Sequence, residues 1–271
     1  MGNGKTISII SIKGGVGKTT TTVNLGAILA KDFNQKVLLV DGNLSSPNLG
    51  DHIGIINPDF TLKDVLMDKI GASGAIYKHE LGFDVIPSTF TPNADRFSVF
   101  KLKEKLLKIK RNYDFVLIDS SPNLNNEMLL AMVAANELIV VTTPDTPTLR
   151  CTIEAVEVAK QQKTPISGLI INKQRGKRFE VTKKDLESQT KVPVLAVLPD
   201  DIKILESLSK TTPLPYYSPK TKVTKMYHNI AKHIMGETEN SVVIKQPFKS
   251  RVKNFLNRYI TIESGNQPIK E

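Results

Sequence analysis

Apolar and polar positions fall in blocks along this chain: short runs that are apolar throughout, each followed by a stretch with apolar residues at helical spacing. Runs at residues 7–12, 36–41, 83–87, 115–119, 137–142, 166–171 and 192–198 have the length and composition of strands covered on both faces. Helical spacing fills the intervals at 20–30, 96–111, 126–135, 148–162 and 182–189, and returns at 202–209 and 222–235. In the basic stretch 96–111, Val99, Leu102, Leu106 and Ile109 share one face. Strands that alternate with helices must pair mainly in parallel, because each crossover returns the chain to the same end of the sheet. The pattern therefore predicts an α/β fold: a mainly parallel, twisted sheet with helices on both faces, spanning residues 1–236 as one domain.

After Met235 the pattern changes. Residues 236–241 are polar and read as a linker, bounded at 237–246, and 247–271 form a separate C-terminal segment with a frayed end. Within it Phe248, Val252, Phe255, Leu256 and Tyr259 make one apolar helical stripe, flanked by Lys249, Arg251, Lys253 and Arg258. Large apolar groups between cations describe a helix lying in a lipid interface; the alternative is a helix packed on the domain's own core.

Composition narrows this picture further. At 271 residues, with 40% hydrophobic and 24% charged residues, the chain has the profile of one soluble domain with an appendage. No apolar run approaches ~18 residues, so no membrane-spanning helix is expected, and the first strand follows the N-terminus without a secretory leader. Cys151 is the one cysteine, which leaves no internal disulfide, points to the cytoplasm, and reads as a small buried apolar residue. The net charge of +10 asks for an anionic partner, either nucleic acid or a membrane surface. The four histidines have no spacing that suggests a metal or a catalytic triad.

Chemistry enters between the first strand and the first helix, at Lys13-Gly14-Gly15-Val16-Gly17-Lys18-Thr19-Thr20. Three glycines allow a tight turn whose N–H groups converge on an anion, and the following helix adds its positive end. Lys18 can reach β- and γ-phosphates, and the Thr19 hydroxyl is placed to ligate Mg²⁺. Asp41 and Asp119 both close apolar strands on the side of this loop, where open α/β sheets bind ligands, so both belong near the metal.

The loop departs from the usual G-x-x-x-x-G-K-[ST] pattern, since Ile12 replaces the first glycine and Lys13 is added. In this it resembles the deviant Walker A motif of the MinD/ParA family of P-loop ATPases, and the likeness runs over roughly residues 5–235. The resemblance implies a P-loop NTPase fold, ATP and Mg²⁺ as cofactors, and a sandwich homodimer formed on ATP. In that dimer Lys13 would cross to the partner's nucleotide. It also implies that Asp119 is the Walker B aspartate, that Asn172 hydrogen-bonds adenine, and that Pro199 and Asp200 pack beside the base. The segment from Asp41 to Gly50 resembles MinD more than the partition proteins. It places Asn43 where the family usually has a water-activating aspartate. An amide has no useful basicity, so the expectation is slow, dimer-dependent hydrolysis with Asp41 as the main water-orienting group.

In MinD relatives a short basic amphipathic helix at the C-terminus anchors the ATP-bound dimer. The resemblance thus implies a cytoplasmic protein reversibly attached to the anionic inner membrane surface, with an activating or cargo protein as a further partner, in the positioning of a cellular structure. A ParA-like DNA binder is the second choice, served by Arg175, Lys177, Arg178, Lys183 and Lys184. A metabolic ligase would need a second substrate domain, and no such domain is legible.

Overall fold

The computed structural model describes residues 4–92 and 97–237. Its first half runs β1 (Lys5–Ile10), α1 (Lys18–Lys31), β2 (Val37–Gly42), α2 (Leu49–His52), α3 (Leu62–Leu66), β3 (Tyr77–Lys78), β4 (Asp84–Ile86), α4 (Lys101–Leu107) and β5 (Phe115–Ser120). The second half alternates strictly: α5 (Asn126–Ala134), β6 (Glu137–Thr142), α6 (Thr146–Gln161), β7 (Ile166–Gln174), α7 (Lys183–Thr190) and β8 (Val194–Pro199). Three helices follow: α8 (Ile202–Ser209), α9 (Leu214–Tyr217) and α10 (Lys222–Met235).

Eight strands form one sheet in the order β3-β4-β2-β5-β1-β6-β7-β8. All pairings are parallel except that of β3, which lies antiparallel to β4 at the edge. Successive side chains on a strand point to opposite faces, and both faces are apolar here. Ile7 and Ile9 of β1 join the layer under α1 and α10, while Ile10 packs with Met128 of α5 and Val156 of α6. Leu39 of β2 faces α1, whereas Leu38 and Val40 meet Leu62, Leu102 and Leu106 of α3 and α4. Each such fully buried side chain contributes about 1.5–3 kcal/mol.

Helix starts follow their capping residues. Asn125 accepts from the Met128 N–H, Asp145 from the Thr148 N–H, and Thr182 closes a capping box with Asp185. α10 stops at Gly236, whose φ of +81° suits glycine.

Several expectations are adjusted. β1 begins two residues earlier than its apolar run, and α1 begins at Lys18, where the phosphate-loop turn ends. The helix expected over 96–111 contracts to α4 and a 3₁₀ turn at Lys110–Asn112; Val99 precedes α4 and is only half-buried. Leu102, Leu106 and Ile109 do reach the core. Cys151 is half-buried rather than buried, because it lies beside the exposed Arg150 on the outer part of α6. The short elements α2, α3, β3 and α9 have no counterpart among the sequence blocks. Apart from Glu237, the expected linker 237–246 lies outside the described residues. So does the amphipathic segment with Phe248, Lys249, Arg251, Val252, Lys253, Phe255, Leu256, Arg258 and Tyr259. Among the described residues no helix is long and apolar enough to cross a membrane.

Candidate nucleotide site

The chain leaves β1 for β2 on one side of the sheet and leaves β5 for β6 on the other, so the strand order reverses beside β1. Crossovers diverge at such a point and leave a crevice at the carboxyl ends of the strands. The glycine loop fills that crevice. Gly15 and Gly17 take φ of +74° and +100°, a region other residues enter at a cost. Gly17 is doubly constrained, since a Cβ there would stand 2.3 Å from the Asn172 Nδ2. Val16 between them is buried in the α1 layer and pins the loop to the core.

Strand β7 holds the loop from its other side. Asn172 Nδ2 donates to the Val16 carbonyl at 2.8 Å, and its Oδ1 accepts from the Lys173 N–H. Lys173 Nζ donates to the Gly15 carbonyl at 2.8 Å. Both polar ends of the Asn172 amide are therefore engaged, one on the loop and one on its own strand. Pro199 ends β8 beside Gln174, and Asp200 pairs with Arg175 Nε at 2.8 Å. Pro199 and Asp200 thus meet Gln174 and Arg175 at the end of β7, two residues beyond the Asn172 that holds the loop.

Lys18 and the two aspartates form the charged floor. Asp41 and Asp119 lie in register on β2 and β5, and both are fully buried. Asp41 accepts from the N–H groups of Asn43 and Leu49, at 3.1 Å each. Thr19 Oγ1 lies 2.5 Å from Asp119 Oδ2 and 2.9 Å from Asn48 Oδ1, and its one proton can serve either. Burial, then the charge of Asp119, push the Asp41 carboxyl well above the usual range. Burial also raises Asp119, less strongly, because the Thr19 hydroxyl and the Lys18 ammonium favour its charged form. Burial lowers Lys18 against the pull of Asp119.

Asp119 Oδ1 is buried with no hydrogen-bond partner among the described residues. Two adjacent buried carboxylates, one with an orphan oxygen, and a neighbouring hydroxyl form a hard-oxygen donor set. That set fits Mg²⁺, which keeps several waters and needs only one or two protein carboxylates besides substrate phosphates. Thr19, Asp41 and Asp119 are the residues that would hold it.

Asn43 does not point its amide into this centre. Its Nδ2 donates to the Ser46 carbonyl and its Oδ1 accepts from the Ser46 N–H, which folds the segment after β2 back on itself. Ser45 ties that segment to Glu127 of α5. Lys13 also leaves the centre: its Nζ lies 3.1 Å from Asp145 Oδ1 and 2.6 Å from Thr148 Oγ1, at the N-terminus of α6. Burial works against the charge of Asp145. Bonds from Thr143, Thr148 and Lys13 outweigh it and hold this carboxyl far below its ordinary range. Gly14 and Thr20 complete the turn and the first helical residues without a further side-chain contact to the acids.

Two functional groups escaped the sequence reading, Asn48 and Lys173, whereas Asp145 and Thr148 stand in the Thr142–Arg150 stretch whose resemblance to the family implies a dimer or switch surface. Lys173 follows Asn172 directly, and Asp145 has the signature of a helix cap before Thr146-Pro147. Lys173 could have been noticed as a polar residue near a strand end. The contacts of both residues to the loop could not, because they arise from pairings across more than a hundred residues.

Comparison with known proteins agrees with this geometry. Residues 4–167 match a family model described as an AAA domain, and residues 107–235 match one described as ParA, a NUBPL iron-transfer P-loop NTPase. An ATP-binding protein of Methanocaldococcus jannaschii is 30% identical over 255 residues, covering 94% of each chain. The cell division ATPase MinD of Pyrococcus furiosus superposes with a TM-score of 0.80 at 33% identity, over 87% of this chain and 100% of that one. The septum site-determining protein MinD of Pyrococcus horikoshii, in complex with Mg-ADP, gives 0.79 at 32% identity, over 85% and 95%. With its lysine-bearing glycine loop, its paired aspartates and these relatives along most of its length, the chain belongs to the MinD/ParA family of P-loop ATPases, which use ATP and Mg²⁺.

Proposed function

We propose that this ATPase is a MinD-like switch: Mg-ATP joins two copies, and the dimer attaches reversibly to the cytoplasmic membrane face to position a cellular structure. The observation that carries the reading is the seat of Lys13. Its ammonium rests on Asp145 and Thr148 at the start of α6, away from Asp41 and Asp119, in a half-exposed pair that can be exchanged for a partner's phosphates. Turnover then needs little covalent chemistry. Lys18 and the partner copy's Lys13 would neutralise charge developing on the transferred phosphoryl group, and Asp41 would orient the attacking water. Mg²⁺, when bound, supplies further charge neutralisation on the phosphate oxygens. With an amide at position 43, tied to Ser46, Asp41 lacks the water-activating carboxylate that the family usually has there, which favours slow, dimer-dependent hydrolysis.

Attachment would come from the basic amphipathic segment 247–260, weak in one copy and effective in two. Each cation near anionic lipid adds about 1 kcal/mol. An activating or cargo protein would read the resulting state. The decisive experiment is co-sedimentation with anionic vesicles in Mg-ATP and Mg-ADP, beside a truncation before Gly236. Pelleting of the full chain in Mg-ATP alone supports the reading; equal pelleting of all samples refutes it. The DNA-binding alternative loses ground on the exposed basic cluster. Arg175 is paired with Asp200 and Lys183 with Glu187, so a partition role would have to rest on fewer free cations. Steeply salt-dependent binding to random duplex DNA only in ATP would restore it.

A further inference from the structure

Phe179 is 84% exposed, at the tip of the turn between β7 and α7. A large ring in water is ordinary on a loose loop, but this loop is built. The Glu180 carboxylate turns inward and accepts from the N–H groups of Arg175, at 2.8 Å, and Lys177, at 3.1 Å. Glu180 N–H returns a bond to the Lys177 carbonyl, Gly176 takes a φ of +70°, and Val181 N–H donates to the Pro144 carbonyl. The turn thus spends its one acid on its own backbone and leaves the ring exposed directly after Lys177 and Arg178 in the chain. Neither of those cations forms an ion pair among the described residues. A pre-shaped aromatic with a neighbouring free arginine is the composition of an interface anchor.

We propose that this turn is a docking site for a short acidic protein segment carrying one large apolar side chain. Charge complementarity selects that partner. The surroundings are of mixed sign: Asp200, paired with Arg175, flanks the turn on one side, and α7 on the other carries Lys183 and Lys184 together with Asp185 and the Glu187 that Lys183 pairs with. A duplex or a bilayer, with its continuous anionic surface, would meet those carboxylates and ion pairs as well as the two unpaired cations. A short segment meets only Phe179, Lys177 and Arg178. The site is also wired to the nucleotide. Val181 hangs on Pro144, next to the Asp145 that holds Lys13, and β7 grips the glycine loop through Asn172 and Lys173. The inference rests on the switch reading above only for this nucleotide dependence, and names the chemistry of the activating or cargo partner.

The test presents the full chain, in Mg-ATP or Mg-ADP, to an array of random short peptides, beside Phe179→Ser and Lys177→Glu/Arg178→Glu variants. Bound peptides should be rich in Asp and Glu around one large apolar residue, and both variants should lose roughly tenfold in affinity, as for an interface anchor. The chain has no tryptophan, so Phe179→Trp gives a single reporter. Its emission should shift to the blue with the best acidic peptide, and not with duplex DNA or phosphatidylglycerol vesicles. Selection of non-acidic peptides, variants that bind like the parent, or a shift produced only by DNA or vesicles would each overturn the docking site. Phe179-dependent binding that ignores the nucleotide would uphold the docking site and break its link to the switch.

Discussion

Replacing Asp145 with Asn removes the charge that holds Lys13 while keeping a residue that caps helices equally well. The Lys13–Asp145 pair spans 3.1 Å, with both side chains about two-fifths exposed, at 41% and 42%. An ion pair this open to water is worth about 0.2–1 kcal/mol once screening is allowed for. If Lys13 must leave Asp145 to reach the opposite nucleotide, that energy opposes dimer formation once in each copy. Two locks make about 0.4–2 kcal/mol, so Asp145→Asn should tighten ATP-dependent self-association about 2- to 30-fold. Sedimentation velocity in Mg-ATP, across a range of protein concentrations, reads this directly. The Mg-ADP sample should remain monomeric, and the gap between parent and variant should narrow in high salt. A variant that pairs no better than its parent, with an unchanged melting temperature, would show that Asp145 does not restrain Lys13. Lys13→Ala should abolish the ATP-dependent dimer in either background.

Three further outcomes follow from the site. Asn43→Asp loses the bond to the Ser46 carbonyl, at a cost of about 1 kcal/mol, and should raise kcat by about tenfold or more as the released carboxylate turns toward Asp41; phosphate release at saturating ATP measures it, and an unchanged rate removes the water-activating role that the family gives to this position. Asn172→Ala leaves the buried Val16 carbonyl unpaired and should cost about 1–3 kcal/mol in thermal or urea unfolding. Asn172→Asp should be no better, since a carboxylate cannot donate to that carbonyl, and a harmless Asp would refute the tie. Finally, Asp41 and Asp119 have raised pKa values in the folded chain, so the folded state binds more protons than the unfolded one above the ordinary value of 3.8. Nucleotide-free protein should therefore lose stability as pH rises from there toward the raised folded values. Calorimetry over about pH 4 to 8 should show a shallower fall in Asp41→Asn, while Mg-ATP should flatten the parent's profile. The lowered pKa of Asp145 contributes the opposite slope in both proteins and cancels in the comparison.

The sheet was legible because its strands are apolar on both faces and therefore stand out as continuous runs. Ile7 and Ile10, or Leu38 and Leu39, serve different layers, yet both positions demand the same kind of residue. The short elements were not legible. Tyr77–Lys78 becomes a strand only because β4 offers it an edge, and Leu62–Leu66 is a helix of little more than one turn, held by its cap and by contacts to β2. Local pattern has no signal at that length. The amide of Asn43 belongs to the same group: its type was visible at position 43, but its bond to Ser46 depends on how the chain turns after β2.

For the site, the amino-acid sequence alone determined the phosphate loop, its two lysines, the threonine and the two strand-end aspartates, because their chemistry depends on residue type at fixed spacing. Only the tertiary structure decided what each of them touches. It set Lys13 on Asp145, turned Asn172 and Lys173 back onto the loop, and brought Asp41 and Asp119 into register with one oxygen unsatisfied. Spacing along a chain specifies a local turn, whereas contacts between residues a hundred positions apart exist only once the sheet has assembled and placed its strand ends side by side.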